Sequence, residues 1–595
     1  MAASEESLVA RTGLADAREP GRTLRVGAEP RPRSAWTPPQ ASLVHCFARK
    51  VVDRGARTAL RYMLDGTWHE LSWLEWHDRA RCFAAALIAL GVQPGDRVAV
   101  LSSTRIEWTI ADIGSAMAGA VTTPIYASST PAQVAFIVQD CAASIIVCED
   151  TTQLGKLASQ LRELPSLRRA ICIEGSLPAG AGWAISWDEA MALGEQGAGR
   201  SAADVDARID ALEPGTLATL VYTSGTSGRP KGVRITHENV MYTSEISVEP
   251  LTLGASDTQL LFLPMAHIMG RTLLACSFFT GGVSALHPNP PNLLQHCREL
   301  GVTFLCGVPR VLEKLHAALG REPPERVRQA FGPRMRFILS GGAPLPRATT
   351  EFFRSSGVPV YEGYGLTESS GTLTVNLPGH SRDGSVGRSA RGTELRIAPD
   401  GEILAAGPGV MDGYHRSTPT LAELTQPTDG ASLQWIDGRR WLSTGDIGRL
   451  DDDGYLWITD RKKDVFKLST GKSVAPAQLE NLVKRSDCIS QVVVYGESRP
   501  YVTALCTLNP AVLMTLGVSV PEQHPEARAR VEQAIAVANQ QLAPFEQIRR
   551  FAIVHPDFSL ESGELTATLK TRRGAIIARY AALLASLYDG DAIVV

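Results

Sequence analysis

The stretch YTSGTSGRPKG at residues 222–232 places hydroxyl side chains, glycines and cations within eleven consecutive positions. It follows the apolar run LATLV at 217–221, which is typical of a β-strand. Glycines let consecutive backbone N–H groups face one point, and hydroxyls and a lysine add donors and positive charge, so the stretch could hold a phosphate. It does not match the GxxxxGK[ST] pattern, because Gly232 follows Lys231 and Pro230 stands where a helix would begin. From these residues alone, a flexible surface turn stays an alternative.

Further polar motifs follow downstream, and each has a plain structural explanation of its own. A Thr-Glu pair often begins a helix, an Asp after Thr-Gly often caps a turn, and a charged run or a single lysine is usually exposed to solvent. The motifs are YGLTESSG at 364–371, STGDIG at 443–448, DRKKD at 460–464 and LTATLKTRR at 565–573. Considered singly, none of them establishes a function.

Together and in this order, the motifs resemble the adenylate-forming superfamily of acyl-CoA synthetases, nonribosomal adenylation domains and luciferases. The resemblance runs from about residue 45 to the C-terminus. Within the superfamily, the stretches RIEWTIADIG, LPMAHIMGR, LSGGAPLP, YEGYGLTE and VVVYGESRPYVTAL are most similar to the long-chain fatty acyl-CoA synthetases. The resemblance implies an AMP-forming acid–thiol ligase. Such an enzyme uses ATP to convert a fatty acid into acyl-AMP and pyrophosphate, and then transfers the acyl group to coenzyme A.

The resemblance also implies the residues that handle the phosphates. Thr367 would contact the α-phosphate, and Glu368 would bind Mg²⁺, a hard cation that proteins hold through one or two carboxylates. Lys570 would reach the α-phosphate and the substrate carboxylate during adenylation. The β- and γ-phosphates would be held by Thr223, Ser224, Gly225, Thr226, Ser227, Gly228 and Lys231. The predicted catalytic residues are therefore Lys570, Thr367, Glu368 and Lys231.

A second implied set of residues surrounds the adenosine part of ATP and AMP. Tyr364 offers a flat face for adenine, Glu362 can accept from the adenine amino group, and Asp446 can accept from both ribose hydroxyls. Arg461 would also touch the ribose. Gly341, Gly342 and Ala343 would form the opposite wall, where small residues leave room for the ring. The implied ATP- and AMP-binding residues also include Gly363 and Gly365.

The resemblance predicts motion and a substrate passage as well. Lys463 matches the hinge about which the C-terminal domain turns after adenylation, so that Lys570 leaves and the CoA thiol enters. His267 corresponds to a position near the carboxylate and the tunnel entrance, although a histidine among apolar residues is often simply part of the core. Gly471 would line the pantetheine passage. HIMGR at 267–271 differs from the HVFER common in long-chain enzymes, so chain length is not predicted here.

Length and hydrophobic pattern predict a multidomain α/β protein. A chain of 595 residues exceeds the roughly 250 to 300 residues that one hydrophobic core supports. Short β-branched runs alternate with helical-period stretches, a pattern that favours parallel sheets covered on both faces. We expect a large N-terminal domain of mixed α/β layers with a β-rich subdomain near 384–460, and a small mobile C-terminal α/β domain. The predicted bounds are 1–38 for a disordered extension, 39–462 for the AMP-binding domain and 463–595 for the C-terminal domain.

Composition restricts the partners and the compartment. A net charge of −3 gives no basic surplus for nucleic acid. The ten cysteines include no CxxC pair, which favours a reduced, cytoplasmic location over a disulfide framework, with mitochondrial targeting by residues 1–38 as a minor alternative. No stretch predicts a transmembrane segment. Peripheral membrane association and the choice between monomer and homodimer stay open.

Three functional alternatives follow from the motifs. The first is the fatty acyl-CoA ligase, including a ligase for another carboxylic acid, medium-chain or aryl. The second is a fatty acyl-AMP ligase that loads a carrier protein, but the run from LQWIDGRRWLSTGD into DRKKD lacks the insertion near the hinge that such enzymes often carry. The third is a regulatory or scaffold protein that keeps only the fold, which the presence of Lys231, Glu368, Asp446 and Lys570 disfavours.

Overall fold

A computed structural model of the chain describes residues 41–178, 180–196, 198–223, 230–288, 292–415, 432–517, 520–566 and 570–588. The extension predicted for residues 1–38 lies outside these ranges. The described residues form two large sheets with helices between and around them, a smaller antiparallel sheet and a C-terminal unit with its own three-stranded sheet. The predicted α/β class is confirmed. Strands and helices are numbered below in chain order.

The first large sheet has eight strands in the order β19-β9-β8-β4-β3-β5-β6-β7. Six neighbouring strands run parallel, namely β8, β4, β3, β5, β6 and β7. At one edge β9 pairs antiparallel with β8, and β19 pairs antiparallel with β9. The central runs are apolar on both faces, as a sheet covered by helices on both sides requires. The strands are β3 (Arg97–Leu101), β4 (Val121–Ile125), β5 (Ala143–Asp150), β6 (Arg169–Glu174), β7 (Ala184–Ser186), β8 (Leu217–Thr223), β9 (Lys231–Thr236) and β19 (Gly413–Tyr414).

The second large sheet has nine strands in the order β16-β15-β14-β13-β12-β10-β11-β1-β2. Its parallel part runs from β14 to β1, and β15, β16 and β2 pair antiparallel at the edges. The carboxyl ends of β13 and β14 meet at one edge, where ligands of α/β sheets usually bind. The strands are β1 (Thr58–Leu64), β2 (Thr67–Ser72), β10 (Thr258–Leu261), β11 (Val283–Leu286), β12 (Phe304–Gly307), β13 (Phe337–Gly341), β14 (Val360–Leu366), β15 (Gly371–Val375) and β16 (Arg388–Ser389).

Helices cover both large sheets, and their ends follow from local sequence. Ser72 begins the second helix, because its side chain accepts from the backbone of Glu75 while the Glu75 carboxylate accepts from the Ser72 N–H. The helices are α1 (Leu43–Arg54), α2 (Trp73–Ala89), α3 (Ile106–Met117), α4 (Pro131–Asp140), α5 (Thr151–Ala158), α6 (Trp187–Gln196), α7 (Ala198–Asp210), α8 (His237–Val248), α9 (Ile268–Thr280), α10 (Leu293–Leu300), α11 (Pro309–Leu319), α12 (Pro324–Phe331) and α13 (Arg347–Ser355). Among the helices in the described ranges, none combines the length and the apolar character that crossing a membrane requires.

A third, antiparallel sheet occupies the region predicted to be β-rich. Its path is β17-β18-β21-β20, and β22 pairs with the long strand β21. This pairing sets Asp446 directly opposite Arg461. The strands are β17 (Glu394–Ile397), β18 (Glu402–Ala406), β20 (Ser432–Ile436), β21 (Arg439–Leu450) and β22 (Leu456–Arg461).

The C-terminal unit follows β22 and has separate clusters of buried apolar side chains. In its main sheet β25 pairs antiparallel with β26, and β26 pairs parallel with β27. A short hairpin of β23 and β24 precedes that sheet. The elements are β23 (Phe466–Lys467), β24 (Ser473–Val474), α14 (Pro476–Val483), β25 (Ile489–Tyr495), β26 (Val502–Leu508), α15 (Pro510–Leu516), α16 (Pro525–Asn539), β27 (Ile548–Ile553), α17 (Arg573–Arg579) and α18 (Ala581–Ser586).

Candidate active site

The hydroxyl- and glycine-rich loop connects two paired strands. Strands β8 and β9 are antiparallel, and their pairing extends to Thr223 opposite Lys231 at the mouth of the loop. A Cβ placed at Gly232 would lie 2.9 Å from the ring of Tyr222, so the glycine lets that ring cross the partner strand. The Tyr222 hydroxyl donates to Asp140 Oδ2 at 2.5 Å, which fixes the base of the hairpin. The predicted phosphate-binding residues Ser224, Gly225, Thr226, Ser227 and Gly228 lie outside the described residues.

Tyr414 connects Lys231 to Glu368. The Lys231 amine lies 5.3 Å from the centre of the Tyr414 ring, and the Tyr414 hydroxyl donates to Glu368 Oε1 at 2.9 Å. Burial, and then the Glu368 carboxylate, raise the pKa of Tyr414, so the phenol keeps its proton and stays a donor. Strand β19 carries Tyr414 to this place by pairing with β9. Tyr414 belongs to none of the predicted motifs, because only the long-range pairing brings it to Glu368.

Thr367 and Glu368 begin a short 3₁₀ turn directly after β14. The Glu368 carbonyl accepts from the Met411 N–H at 2.8 Å, which ties the turn to the segment that carries Tyr414. A Cβ placed at Gly365 would lie 1.6 Å from the carbonyl oxygen of Gly371 in β15. The glycine is therefore required for the close strand pairing that presents the Thr-Glu pair at the sheet edge.

Asp446, Arg461 and Tyr364 form a compact polar group beside this turn. Asp446 is buried in β21, and its Oδ1 accepts from Arg461 Nε at 2.9 Å. Its Oδ2 accepts from the Tyr364 hydroxyl at 2.6 Å. Burial, and then Asp446, raise the pKa of Tyr364 well above its ordinary value. The Asp446 side chain is thus held in one orientation by two donors.

Glu362 lies on β14, and the segment 341–343 begins at the last residue of the neighbouring parallel strand β13. Glu362 is opposite Ser340, and Gly363 is opposite Gly341. The Glu362 Oε2 accepts from the Leu345 N–H at 3.4 Å, and burial raises the pKa of this carboxyl to about 7. A Cβ placed at Gly341 would lie 3.3 Å from the Gly363 carbonyl oxygen, so these small residues keep the wall flat. Ala343 follows Gly342, whose φ is +85°.

Lys570 reaches this group from the C-terminal unit. Its Cε and Nζ lie 3.8 and 3.9 Å from where a Cβ on Gly342 would stand. Burial, and then the Arg461 charge, lower the pKa of the Lys570 amine to about 8, while Asp446 and Glu368 partly offset the shift. The charges of the predicted ribose, metal and phosphate residues are therefore close enough to act on one amine.

His267 directly precedes helix α9, and its ring lies near Lys570. Its Nδ1 accepts from the Met269 N–H at 3.1 Å, so the ring proton is on Nε2. Burial, and then the Lys570 charge, lower the pKa of His267 to about 3. The ring is therefore a neutral donor at physiological pH. The sequence alone left a core position open for His267, and the proximity of Lys570 places it at the site.

Lys463 and Gly471 are not brought into the same group. Lys463 is exposed two residues after Arg461, where the chain passes into the C-terminal unit. Gly471 lies in an exposed turn between β23 and β24 with φ of +79°, and its Cβ position has no heavy atom within 4 Å. In this arrangement Lys570, rather than Gly471, faces the Gly341–Ala343 wall.

Two protein-family models match the chain, one over its larger N-terminal part and one over its C-terminal part. The family model described as AMP-binding enzyme matches residues 47–415, and the model described as AMP-binding enzyme C-terminal domain matches residues 463–592. The chain is similar to the long-chain-fatty-acid–CoA ligase FadD15 of Mycobacterium bovis, with 33% identity over 89% of this chain and 94% of the relative.

Solved structures show the same fold at lower identity. The chain is similar to the anthranilate CoA ligase AuaEII in complex with anthranoyl-AMP, with a TM-score of 0.73, 22% identity and coverage of 94% of this chain and 100% of that one. It is also similar to o-succinylbenzoate CoA synthetase from Bacillus subtilis in complex with ATP and a magnesium ion. The TM-score for that structure is 0.67, with 22% identity and coverage of 89% and 98%.

Proposed function

Because the chain belongs to the family of AMP-binding enzymes, we propose that it is an ATP-dependent acyl-CoA ligase that activates a long-chain fatty acid as acyl-AMP and transfers it to coenzyme A. The observation that carries this proposal is the position of Lys570. Its amine comes from the C-terminal unit, lies against Gly342, and is close enough to Asp446 and Glu368 for both to influence its pKa. We infer that this arrangement serves the first of two half-reactions.

The first half-reaction places negative charge where these residues converge. A carboxylate resists direct attack by a thiol, so the acid is first joined to the α-phosphate of ATP with loss of pyrophosphate. The neutral His267 ring would donate its Nε2–H to the attacking carboxylate and hold it in line. The Lys570 ammonium would stabilise charge that develops at the α-phosphate, and Lys231 would do so at the β- and γ-phosphates.

Glu368 fits the expected Mg²⁺ site. It presents one carboxylate, the hard oxygen donor that Mg²⁺ prefers, and Tyr414 fixes one of its oxygens. Bound Mg²⁺ supplies charge neutralisation at the phosphate oxygens. Tyr414 would not touch the metal itself. Its hydroxyl would orient the Glu368 carboxylate, and its ring would contact the Lys231 amine.

Adenosine would lie between Tyr364 and the Gly341–Ala343 wall. Asp446 would accept from the ribose hydroxyls, and Arg461 would remain beside it. Glu362 would pair with the adenine amino group, where a carboxyl with a pKa near 7 can accept in its ionised form. The nucleotide would thus bind where residues from both large sheets and from β21 meet.

The second half-reaction requires Lys570 to leave. We place the hinge at Lys463, and with it the division of the chain into residues 39–462 and 463–595. Rotation about this residue would withdraw Lys570 and bring Gly471 to the pantetheine passage. A cytoplasmic location is part of the proposal and rests on the spacing of the cysteines.

The test is acid-dependent release of AMP from ATP, measured from acetate to eicosanoate and with aryl acids, with and without CoA. We expect turnover with long-chain acids only when CoA is present, and acyl-CoA as the product. Preference for aryl or short acids would overturn the substrate class. Accumulation of acyl-AMP that CoA does not consume would favour the acyl-AMP ligase that loads a carrier protein.

A further inference from the structure

Asp557, in the C-terminal unit, is held by donors of its own unit. Its Oδ2 accepts from Ser490 Oγ at 2.6 Å, and its Oδ1 accepts from Thr507 Oγ1 at 2.6 Å and from the Phe558 N–H at 2.9 Å. The carboxylate therefore has one fixed direction, set by residues of β25 and β26. A charged group held in this way can act as a specific contact point for another unit.

Arg310, in helix α11 of the large domain, meets this carboxylate. Its Nη2 lies 3.2 Å from Asp557 Oδ2, and the two side chains are 21% and 22% exposed. The ion pair connects an element that precedes the candidate hinge by more than a hundred residues to one that follows it. It is thus a contact between the two parts of the molecule, in addition to the covalent connection at Lys463.

A second acidic and basic pair links the same two units. Glu313 lies about one helical turn after Arg310 in α11, and Lys484 follows α14 in the C-terminal unit. The pKa of Glu313 is raised, because burial outweighs the opposing effect of the nearby Lys484 charge. The pKa of Lys484 is lowered, because burial outweighs the opposing effects of Glu480 and Glu313. The Lys484 amine also donates to Gln491 Oε1 at 2.8 Å. Helix α11 therefore carries Arg310 and Glu313 on the side that faces Asp557 and Lys484 of the C-terminal unit.

The segment that begins at Asp557 leads to Lys570 through backbone contacts. The Leu565 N–H donates to the Ser559 carbonyl at 3.0 Å, and Leu565 forms a bridge with Thr571. The Thr566 N–H donates to the Lys570 carbonyl at 2.8 Å. A displacement of Asp557 relative to α11 would consequently be transmitted to Lys570.

We propose that Arg310 is a positioning residue for adenylation: its ion pair with Asp557 holds the C-terminal unit in the orientation that brings Lys570 beside Gly342, and this pair separates for thioester formation. The inference rests on the proposed function and adds a residue that none of the motifs contains. Arg310 acts through Lys570 and touches no reacting atom. Its effect is confined to one of the two half-reactions.

The first experiment compares the half-reactions in Arg310→Glu. Because the reversed charge repels Asp557, we expect adenylation to fall about tenfold, as estimated from the usual energy of such pairs and the added repulsion. Transfer from supplied acyl-AMP to CoA should stay within about twofold of the unsubstituted enzyme. Lys314→Ala, which removes an exposed cation from the same helix, is the matched control and should change neither rate. An equal fall of both half-reactions, or no fall in adenylation, would overturn the proposal.

A double-mutant cycle isolates the pair itself. Arg310→Ala and Asp557→Asn should each lower adenylation about threefold, and the double variant should be no slower than either single one. Asn keeps an oxygen acceptor at this position, so the contacts with Thr507 and the Phe558 N–H are retained. Fully additive effects would show that the two side chains act independently and would exclude the proposed contact.

A measurement without substrate separates this inference from the proposed function. Hydrogen–deuterium exchange of the free protein should be faster in residues 309–319 and 557–566 of Arg310→Glu, while helix α16 stays protected. If the exchange changes but no acid supports AMP release, the activity proposal fails and the interdomain contact stands. Unchanged exchange in both segments would refute the contact whatever the activity.

Discussion

Lys570 should give the first half-reaction a characteristic pH dependence. Its amine titrates with a pKa of about 8 beside the Gly341–Ala343 wall, so the charged form is lost as the pH rises through this value. We expect kcat/KM for acyl-AMP formation to fall above about pH 8, because this parameter reports the free enzyme. In Lys570→Arg the cation persists, and the alkaline fall should disappear from the remaining activity. Identical profiles for the two proteins would assign the fall to another group.

Removal of the Lys570 side chain should separate the two half-reactions. In Lys570→Ala we expect acyl-AMP formation to fall at least about a hundredfold, in the range measured for a single charge-stabilising group. Conversion of supplied acyl-AMP to acyl-CoA should be spared, because the proposed rotation withdraws Lys570 before that step. Pyrophosphate release and thioester formation, measured separately, check this. Equal loss of both would refute the assigned role.

Substitution of Tyr414 should change the Mg²⁺ concentration that adenylation requires, rather than the preference for the acid substrate. Tyr414→Phe removes the donor to Glu368 Oε1 but keeps the ring beneath Lys231. If Glu368 binds Mg²⁺ as proposed, the Mg²⁺ concentration for half-maximal adenylation should rise about tenfold or more, because partners that orient a metal ligand contribute affinity of this size. Tyr501→Phe, whose hydroxyl donates to the Leu587 carbonyl in the C-terminal unit, is the control. An equal magnesium requirement in the two variants would exclude an orienting role.

At the scale of elements, the close pairing of β14 with β15 presents Thr367 and Glu368. Gly365→Ala would force a Cβ against the Gly371 carbonyl, and overpacking of this kind costs roughly 1–3 kcal/mol. We expect a lower Tm together with lost adenylation, since the strand ends at the turn that carries Thr367 and Glu368, which we propose to be catalytic. Gly155→Ala is the control, because its Cβ position in α5 is open and the change should stabilise by roughly 0.5–1 kcal/mol. Calorimetric scans of both variants measure the difference.

Some strands and helices can be predicted from local sequence pattern, and others cannot. β8 appears where the apolar run LATLV predicted a strand, and β3 and β13 are short apolar runs of the same kind. Most side chains of these three strands are buried, so local propensity and tertiary packing favour the same structure. The two-residue strand β19 was not predicted, because it has no periodicity and forms only by pairing with β9.

At the scale of the whole molecule, the candidate hinge is spanned by a hydrogen bond that the proposed rotation would break. Asp460 Oδ2, just before Arg461, accepts from the Ala477 N–H at the start of α14 at 2.8 Å. Lys463→Pro would restrict the backbone between these groups by fixing φ. We expect adenylation to be spared more than thioester formation.

Lys463→Ala, which removes the side chain but leaves the backbone free, is the control for the hinge substitution. Overall turnover and the two half-reactions are measured for both variants. Unchanged turnover in Lys463→Pro would argue against a hinge at this residue.

The sequence by itself determined the α/β class, through its alternating short strand-like and helix-like runs, and the family, through the resemblance of its ordered motifs. The same resemblance proposed Glu368, Asp446 and Lys570 as site residues, although it did not give their positions in space. Tertiary structure alone decided that Tyr414 supports Glu368, that His267 is neutral beside Lys570, and that Arg310 meets Asp557. These facts depend on pairings between distant segments and on burial, neither of which a local pattern records.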